Sequence, residues 1–371
     1  NPTVSALEEK LAALDGGVGA TCTSSGISAQ MLMFFTLLSH GDEFVAASKL
    51  YGGTLSQLRY QFSRAFNWKG HFVDPTDTDN FKRAITEKTK VIFVESPTNP
   101  ENVIVDFDAI AKIAEEYNVV FAVDNTIGTP YLCRPLEFGA NIVTYSTTKF
   151  ISGHGNAMGG AVVDSGKFDW QSEKFPLMTE PESSYHGVRW AYDLGPLSPL
   201  AYILRMRVVP LRNLGSCISP DNAWNFLQGI ETLPLRMDRH CENSKAVAEY
   251  LSANSDVDWV RFPGLPGDPA HSLNAKYIDG KGGSMVVFGI KGGSEAGSKF
   301  IDSLELFSHL ANVGDAKSLA IHPASTTHSQ LGEEQQKAGG ITPELIRLSI
   351  GLENAEDIIS DIEQALAKAT A

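Results

Sequence analysis

The chain contains 371 residues, of which 43% are hydrophobic and 20% charged, as is usual for soluble globular proteins. Its formal net charge of -14 disfavours binding to nucleic acid or to an anionic membrane surface. The longest apolar runs, such as residues 31–38, are far shorter than a membrane span. The four cysteines lie far apart, without the spacing of a zinc site, so we expect reduced thiols and a cytoplasmic location.

The first part of the chain predicts helices that alternate with strands. Ser5 and Glu8 form a capping-box pattern for a helix that ends at Gly16. Further helices are expected at about residues 27–39 and 107–117. Apolar runs predict strands at residues 43–47, 91–94, 119–123, 141–146 and 160–163. This alternation predicts a mostly parallel sheet with helices on both faces and a ligand site beyond the carboxyl ends of the strands.

After a Trp/Pro/Tyr-rich stretch, a second block of different pattern follows. Ser219 and Pro220 mark its start, and we therefore expect a large domain at residues 1–218 and a smaller α+β domain at residues 219–371. Predicted helices of this second block lie at residues 243–251, 294–311 and 355–369, and predicted strands at residues 284–288 and 345–350.

Lys149 lies just after a predicted strand, with hydroxyl side chains before it and glycines after it. Its amine could form an imine with a carbonyl compound, and the hydroxyls of Ser146 and Thr148 could hold a phosphate nearby. Covalent capture of pyridoxal 5′-phosphate (PLP) needs these two features, a Schiff-base lysine and a phosphate anchor. Such a composition is also common in plain loops, so the motif needs support from the rest of the chain.

Two other motifs fit the same chemistry. Asp124 ends a predicted buried strand, where it could cap a turn or keep the pyridine nitrogen of PLP protonated. Ser25, Gly26 and Ile27 open a predicted helix, whose backbone N–H groups could bind an anion. An ordinary N-cap serine would explain the same helix start.

Three further residues have both a functional and a structural interpretation. Tyr51 could stack on a flat heteroaromatic ring or pack on the surface of a turn. Asn99 follows a strand and could bind a ligand oxygen or belong to a turn. Arg347 lies within a predicted strand and could pair with an acid or clamp a substrate carboxylate. His322 and His328 lack a third ligand nearby, so we expect no metal site.

Together these motifs resemble those of the Cys/Met-metabolism PLP-dependent enzymes, which have the aspartate-aminotransferase fold of type I. The resemblance extends over the whole chain, and because the motifs occur in the same order, it is specific. The motifs are Ser24-Ser25-Gly26, Leu50-Tyr51-Gly52-Gly53-Thr54, Glu95-Ser96-Pro97-Thr98-Asn99-Pro100, Val123-Asp124-Asn125-Thr126, Ser146-Thr147-Thr148-Lys149 and Arg347-Leu348-Ser349-Ile350-Gly351.

The resemblance implies a fold and a set of roles. The large domain would contain a mostly parallel seven-stranded sheet between helices. Lys149 would hold PLP and move protons, Asp124 would pair with the pyridine nitrogen, and Tyr51 would stack on the ring. The phosphate would be bound by Ser25, Gly26, Ile27, Ser146 and Thr148. The substrate carboxylate would be held by Asn99, Ser318 and Arg347.

Within this family the chain resembles the O-acetylhomoserine sulfhydrylases most. Gly155 follows His154, where cystathionine enzymes usually have Gly-His-Ser-Asp. The insertion at residues 180–187 and the segment at residues 311–319 are also typical of sulfhydrylases. Gly53 stands where methionine γ-lyases typically carry a cysteine.

The resemblance implies a γ-replacement that converts O-acetyl-L-homoserine and sulfide to L-homocysteine and acetate, in methionine biosynthesis. The acyl group (acetyl, succinyl or phospho) and the form of the sulfur donor (free sulfide, a thiol or a carrier) stay open. Cystathionine γ-synthase or γ-lyase of the same family is the alternative. We expect a homo-oligomer, a tetramer by resemblance, with no nucleic-acid or membrane partner.

Two more distant alternatives are disfavoured. A non-catalytic protein of this fold would rarely need both Lys149 and Asp124, and no G-x-G-x-x-G follows the first strand as in a Rossmann nucleotide binder. The family's Tyr-x-Arg segment, which reaches the phosphate site of the neighbouring subunit, normally precedes the Asn-Pro-Thr that opens this sequence. This segment either lies on an N-terminal arm that is disordered without ligand, which we favour, or has been removed.

Overall fold

A computed structural model describes residues 1–326, 340 and 342–370. The chain divides into two compact units. Unit 1 comprises Asn1–Ser96, Val105–Ser152 and Asn156–Ile230, and unit 2 comprises Pro97–Ile104, Gly153–Gly155 and Glu231–Ala371. The boundary at residues 218 and 219 stays a prediction about the domains.

Unit 1 contains a seven-stranded sheet in the order β1-β7-β6-β5-β4-β2-β3. All neighbours are parallel except β7, which is antiparallel to both β1 and β6. This topology confirms the predicted α/β class. The strands are β1 (Gly19–Thr23), β2 (Glu43–Ala47), β3 (Lys69–Val73), β4 (Thr89–Glu95), β5 (Val120–Asp124), β6 (Ile142–Tyr145) and β7 (Gly160–Asp164).

Helices of unit 1 connect these strands and pack against them. They are α1 (Pro2–Asp15), α2 (Gly26–Leu37), α3 (Gly52–Ser56), α4 (Phe62–Phe66), α5 (Asp79–Ala84), α6 (Phe107–Glu116), α7 (Thr129–Leu132), α8 (Pro176–Thr179), α9 (Ala201–Met206), α10 (Arg212–Leu214) and α11 (Pro220–Glu231). Short π-helical segments lie at Gln57–Gln61 and Arg207–Leu211, and 3₁₀ turns at Pro135–Phe138 and Gly195–Leu200.

The predicted capping box at the start of the chain is wrong. Helix α1 begins at Pro2, with Asn1 as the N-cap, whose side chain accepts a hydrogen bond from the Thr3 N–H. Glu8 instead lies inside the helix and accepts hydrogen bonds from the Cys22 N–H and from Arg207. The predicted end of the helix is confirmed, because Gly16 adopts the left-handed conformation at its C-cap.

Unit 2 contains a five-stranded sheet in the order β10-β11-β12-β9-β8, with helices packed against it. Among the described strands of this second sheet, β10 and β11 are the only parallel pair. The strands are β8 (Val257–Arg261), β9 (Met285–Ile290), β10 (Ser308–His309), β11 (Leu319–Ile321) and β12 (Leu345–Ser349). The helices are α12 (Leu233–Ala253), α13 (His271–Tyr277), α14 (Gly293–Ser303) and α15 (Ala355–Thr370), with a 3₁₀ turn at Pro323–Ser325.

Side chains of β12 alternate between the two faces of the sheet, so Arg347 does not lie on the face that forms the core of unit 2. Ile346 and Leu348 belong to the hydrophobic cluster formed with α12, α14 and α15. Because successive side chains of a strand point to opposite faces, Arg347 lies on the other face of the sheet. Its register neighbours there are Val287 on β9 and Ile321 on β11.

Helix α14 ends at Ser303, earlier than the predicted end at residue 311. The backbone that follows is held by the Asp361 carboxylate, which accepts hydrogen bonds from the N–H groups of Glu305, Leu306 and Phe307 at 2.9, 2.9 and 3.1 Å. Within the described ranges, no helix combines the length and apolar character needed to cross a bilayer.

Candidate active site

The carboxyl ends of β1, β4, β5 and β6 lie at one edge of the unit 1 sheet, because β1 and β6 are both antiparallel to β7. The residues that follow these ends are Ser24, Ser96, Asn125 and Ser146. Glu95 and Asp124, the last residues of β4 and β5, are paired in register. The structure therefore brings most of the predicted cofactor-binding residues to the same edge, as expected for a parallel sheet.

Asp124 is 7% exposed, and the hydrogen bonds that it accepts within the described chain come from neutral donors. Its Oδ1 accepts from the Thr126 N–H at 3.0 Å and from the Thr126 hydroxyl at 2.5 Å. Its Oδ2 accepts from the Gln30 amide at 2.8 Å. Burial raises the pKa of Asp124, and these hydrogen bonds act in the opposite direction.

Tyr51 precedes helix α3 and half of its surface, 51%, is exposed. Its backbone N–H donates to Glu95 Oε2 at 2.7 Å, which fixes the start of α3 to the end of β4. A Cβ atom on Gly53 would lie 2.5 Å from Cε1 of the Tyr51 ring. The ring therefore packs over the glycine and leaves its other side accessible for stacking.

Helix α2 begins at Gly26, and Ser25 is its N-cap. The Ser25 hydroxyl accepts a hydrogen bond from the Ser28 N–H at 3.1 Å, so the structural interpretation of this serine is confirmed. N–H groups in the first turn, among them those of Gly26 and Ile27, have no partner within a helix and can bind an anion. A Cβ on Gly26 would lie 2.7 Å from the Cβ of Ser146, so the helix start and the Lys149 loop are in close contact.

Lys149 lies in the turn after β6, where its backbone N–H donates to the Ser146 carbonyl at 3.2 Å. Thr148 is held on the other side of the turn. Its hydroxyl lies 3.2 Å from the Gly159 carbonyl and accepts from the Gly159 N–H at 3.1 Å. Thr147 is fully buried, and its hydroxyl has no hydrogen-bond partner within the described residues.

These features fit PLP. Asp124 is a buried carboxylate with neutral donors, so a protonated pyridine nitrogen would supply the missing positive charge. The glycine at position 26 lets the start of α2, whose first-turn N–H groups can bind a phosphate, lie directly against Ser146. Lys149 lies on the same edge of the sheet. The site therefore offers a carboxylate, an anion-binding helix start and an amine, which are the groups that a phosphorylated pyridine aldehyde needs. The individual roles of these residues stay predictions.

In unit 2, Arg347 is 7% exposed and is oriented by two oxygen atoms. Its Nη1 donates to Asn99 Oδ1 and its Nη2 to the Asn312 carbonyl, both at 2.9 Å. The loop that carries Asn99 is closed by hydrogen bonds between Thr98 and Val103. The structure thus brings Asn99 and Arg347 together, as predicted for a carboxylate site.

Ser318 is fully buried and its polar atoms are engaged with Glu353 and Gly351. Its N–H and hydroxyl donate to the Glu353 carboxylate at 2.7 and 2.9 Å, and the hydroxyl accepts from the Gly351 N–H at 2.9 Å. The predicted contact of Ser318 with a substrate stays a prediction. The visible role of this serine is to join the start of β11 to the chain after β12.

Several residues to which the motifs assigned no role position the predicted site residues, and among them only Gln30 lies outside the family motifs and sulfhydrylase segments named above. Gln30, Thr126, Glu95 and Asn312 each form a hydrogen bond with a predicted site residue, and Thr54 forms one with Gln30. The role of Thr126 could have been predicted, because a hydroxyl two residues after an aspartate is typical of a turn closed by the carboxylate. Gln30 has no such local signal, since 94 residues separate it from Asp124. His322 bonds to Ser325 and the Pro343 carbonyl, and His328 lies outside the described residues.

Comparisons with known proteins agree with this site. The sequence profile of the family described as "Cys/Met metabolism PLP-dependent enzyme" matches residues 1–367. An O-acetyl-L-homoserine sulfhydrylase from Leptospira meyeri is 49% identical over 99% of this chain and 84% of its own length. O-acetyl-L-homoserine sulfhydrylase 1 from Thermus thermophilus is 47% identical over 99% of this chain and 87% of its own.

A solved structure is similar over nearly the whole chain. It is a Campylobacter jejuni protein described as a candidate O-acetylhomoserine (thiol)-lyase, in which one lysine carries a pyridoxyl phosphate group. Its TM-score is 0.93 at 37% identity, covering 99% of this chain and 87% of the other. The predicted fold type and cofactor are thereby confirmed, and the chain belongs to the Cys/Met-metabolism family of PLP-dependent enzymes.

Proposed function

We propose that this protein is an O-acetyl-L-homoserine sulfhydrylase, which replaces the acetate at Cγ of O-acetyl-L-homoserine with sulfide and releases L-homocysteine. The proposal rests on sequence identities of 49% and 47% to two proteins of that name, each over 99% of this chain. The reaction is a transfer within methionine biosynthesis.

A contact within unit 2 supports the sulfhydrylase branch. Gly155 has a φ angle of +62°, and a Cβ atom there would lie 2.6 Å from Asp315 Oδ2. Both residues belong to segments typical of the sulfhydrylases. Cystathionine enzymes usually carry a serine at the position of Gly155, and its Cβ would clash with the Asp315 carboxylate. Gly155 and Asp315 therefore depend on each other.

When bound, PLP supplies an electron sink that stabilises negative charge at Cα of the substrate. Lys149 would hold the cofactor through its Nζ atom, and this amine, once the amino group of the substrate has displaced it, would remove the Cα proton and return it. Asp124 holds a proton on the pyridine nitrogen. Tyr51, half exposed at the start of α3, stacks on the ring and assists proton transfer at the leaving acetate.

Substrate recognition is assigned to the Arg347 guanidinium. Its planar fork can bind a carboxylate through two parallel hydrogen bonds. The Asn99 side-chain oxygen and the Asn312 carbonyl accept hydrogen bonds from the two terminal nitrogens and orient the fork. This supports a role for Arg347 in binding an amino-acid carboxylate.

A cytoplasmic homotetramer is the form that we propose for the enzyme. The family resemblance supports the tetramer, and the net charge of -14 supports an enzyme that avoids nucleic acid and anionic membranes. Thiols in the free state at Cys22, Cys133, Cys217 and Cys241 are consistent with a reducing compartment.

The test is a homocysteine assay with PLP, O-acetyl-L-homoserine and sulfide, with cysteine replacing sulfide in a parallel reaction. The proposal expects homocysteine in the first reaction and little cystathionine in the second. The reverse pattern would move the protein to the cystathionine branch. A third reaction with O-succinyl-L-homoserine and sulfide tests the acyl group, and faster turnover there would contradict the assignment of the acetyl ester.

A further inference from the structure

Asp124 is the centre of a hydrogen-bonded cluster that the family resemblance did not point to. The Asp124 cluster consists of Asp124, Gln30, Thr54, Thr126 and Ser146. Gln30 and Thr54 are 3% and 1% exposed, so their polar atoms have little access to water. In such surroundings each hydrogen bond is strengthened, and an unmade one is costly.

The hydrogen bonds of the cluster form two chains, and each chain ends with a donor to the Asp124 carboxylate. The Thr54 hydroxyl donates to Gln30 Oε1 at 3.0 Å, and Gln30 Nε2 donates to Asp124 Oδ2. On the other side, the Ser146 N–H donates to the Thr126 hydroxyl oxygen at 2.8 Å, and that hydroxyl donates to Asp124 Oδ1. Because the backbone N–H can only donate, the single hydroxyl hydrogen of Thr126 is directed to Asp124.

This polarity selects the ionised form of Asp124. A protonated carboxyl would have to donate its own hydrogen, and both of its oxygens already face donors. The two chains of hydrogen bonds therefore oppose the effect of burial, which favours the neutral acid. An ionised carboxylate is what a protonated pyridine nitrogen requires.

Gln30 also connects Asp124 to helix α3, which begins directly after Tyr51. Thr54 lies in α3, whose first turn begins after Tyr51, and the Tyr51 N–H is bonded to Glu95, the register partner of Asp124. The side chain of Gln30 thus completes a ring of contacts through α2, α3, β4 and β5. The carboxylate and the tyrosine are fixed relative to each other by this ring.

We propose that Gln30 is a positioning residue for the cofactor: it keeps Asp124 ionised and aimed at the pyridine nitrogen, and fixes its distance from Tyr51. The inference rests on the role of Asp124 proposed above. Gln30 acts through Asp124 and Thr54, and its substitution therefore changes how tightly PLP is held and how the bound cofactor responds to pH.

The experiment is a double-mutant cycle on the equilibrium binding of PLP to apoenzyme. It compares the wild type, Gln30→Met, Asp124→Ala and the double variant. Methionine keeps the length of glutamine and removes its polar atoms. Losing a hydrogen bond to a charged group should weaken PLP binding roughly tenfold or more in the wild-type background. In the Asp124→Ala background the same change should have little further effect.

A second readout is the pH titration of the visible absorbance of the bound cofactor. The pH at which the absorbance changes should shift in Gln30→Met, because the carboxylate has lost a donor. Gln30→Glu, which cannot donate when ionised, should shift it further. The matched control is Thr36→Val, since Thr36 is a buried residue of α2 whose hydroxyl donates to the Leu32 carbonyl and belongs to none of the described hydrogen bonds of the Asp124 cluster. It should leave both readouts unchanged.

The outcomes separate the inference from the proposal on which it rests. If Asp124→Ala weakens PLP binding while Gln30→Met does not, the inference is wrong and the role of Asp124 stands. Equal losses for Gln30→Met in both backgrounds would also overturn it, because Gln30 would then act independently of Asp124. If Asp124→Ala changes neither affinity nor absorbance, the role of Asp124 itself is wrong.

Discussion

Gly26 and Ser146 approach so closely that a Cβ atom on Gly26 would lie 2.7 Å from the Cβ and 2.9 Å from the Cα of Ser146. The start of α2 and the loop that carries Lys149 are therefore adjacent only because residue 26 is a glycine. Since both segments are assigned to the phosphate, the spacing between them sets the size of the anion site.

Gly26→Ala should weaken PLP binding about tenfold, because the methyl group must push Ser146 or the helix start away, at a cost of about 1–3 kcal/mol. Equilibrium binding of PLP to apoenzyme measures the effect. Gly267→Ala is the control, since nothing lies within 4 Å of a Cβ at that position. Unchanged PLP affinity in Gly26→Ala would contradict the placement of the phosphate.

Arg347→Ala should raise KM for O-acetyl-L-homoserine by about 100-fold, with a smaller effect on kcat. The expected loss is that of a charge-assisted hydrogen-bonded pair, about 1.5–3 kcal/mol. Arg347→Lys keeps the charge but not the planar fork and should give an intermediate KM. Steady-state kinetics at saturating sulfide measure both. The control is Arg239→Ala, since Arg239 is an exposed arginine of α12. If both Arg347 variants had the KM of the wild type, Arg347 would not belong to the substrate site.

Asp361→Ala should destabilise unit 2 by about 3 kcal/mol, because it leaves three backbone N–H groups without their acceptor. Urea unfolding followed by circular dichroism measures the change as a lower midpoint. Glu363→Ala, at an exposed position of the same helix, should stay within about 0.5 kcal/mol of the wild type. A midpoint for Asp361→Ala as high as that of this control would refute the structural role of the carboxylate.

The buried carboxyl group of Asp15 should make the free energy of unfolding depend on pH. Burial raises its pKa to about 7, while the Tyr145 hydroxyl and Arg134 act in the opposite direction. Because the unfolded state loses this proton near the ordinary value of 3.8, the folded state binds more protons between about pH 4 and 7. The contribution of Asp15 to stability therefore falls as the pH rises through this range and is constant above it.

Asp15→Asn should flatten this dependence, so that the loss of thermal stability between pH 5 and 8 becomes smaller than in the wild type. Differential scanning calorimetry at several pH values tests it. Asp164, whose pKa burial also raises to about 7, contributes a residual slope of the same sign. Asp169→Asn, at an exposed position, should behave as the wild type. A wild-type slope in Asp15→Asn would show that Asp15 is ionised throughout.

The strands that position the site could be predicted from the sequence because they are buried on both faces. β4 and β5 are buried along their whole length, and an uninterrupted apolar run identifies such strands. β3 and β8 lie at the edges of their sheets and are half-buried, so their sequences lack this pattern and they were not predicted.

Contacts between distant residues could not be predicted in the same way. The end of α14 depends on Asp361 of α15, and the orientation of Asp124 depends on Gln30 of α2. Neither pair has a local signal, because their members meet only after the helices have packed. By contrast, the site residues themselves have recognisable neighbours along the chain, as Ser146, Thr148 and Lys149 illustrate.

The central claim, that Lys149 holds the cofactor, is tested most directly by reducing the PLP-loaded enzyme with borohydride and mapping the labelled peptide by mass spectrometry. We predict that the phosphopyridoxyl group lies on Lys149, that Lys149→Ala loses the label, the visible absorbance and turnover, and that Lys167→Ala retains all three. A label on another lysine, or normal turnover in Lys149→Ala, would contradict the account.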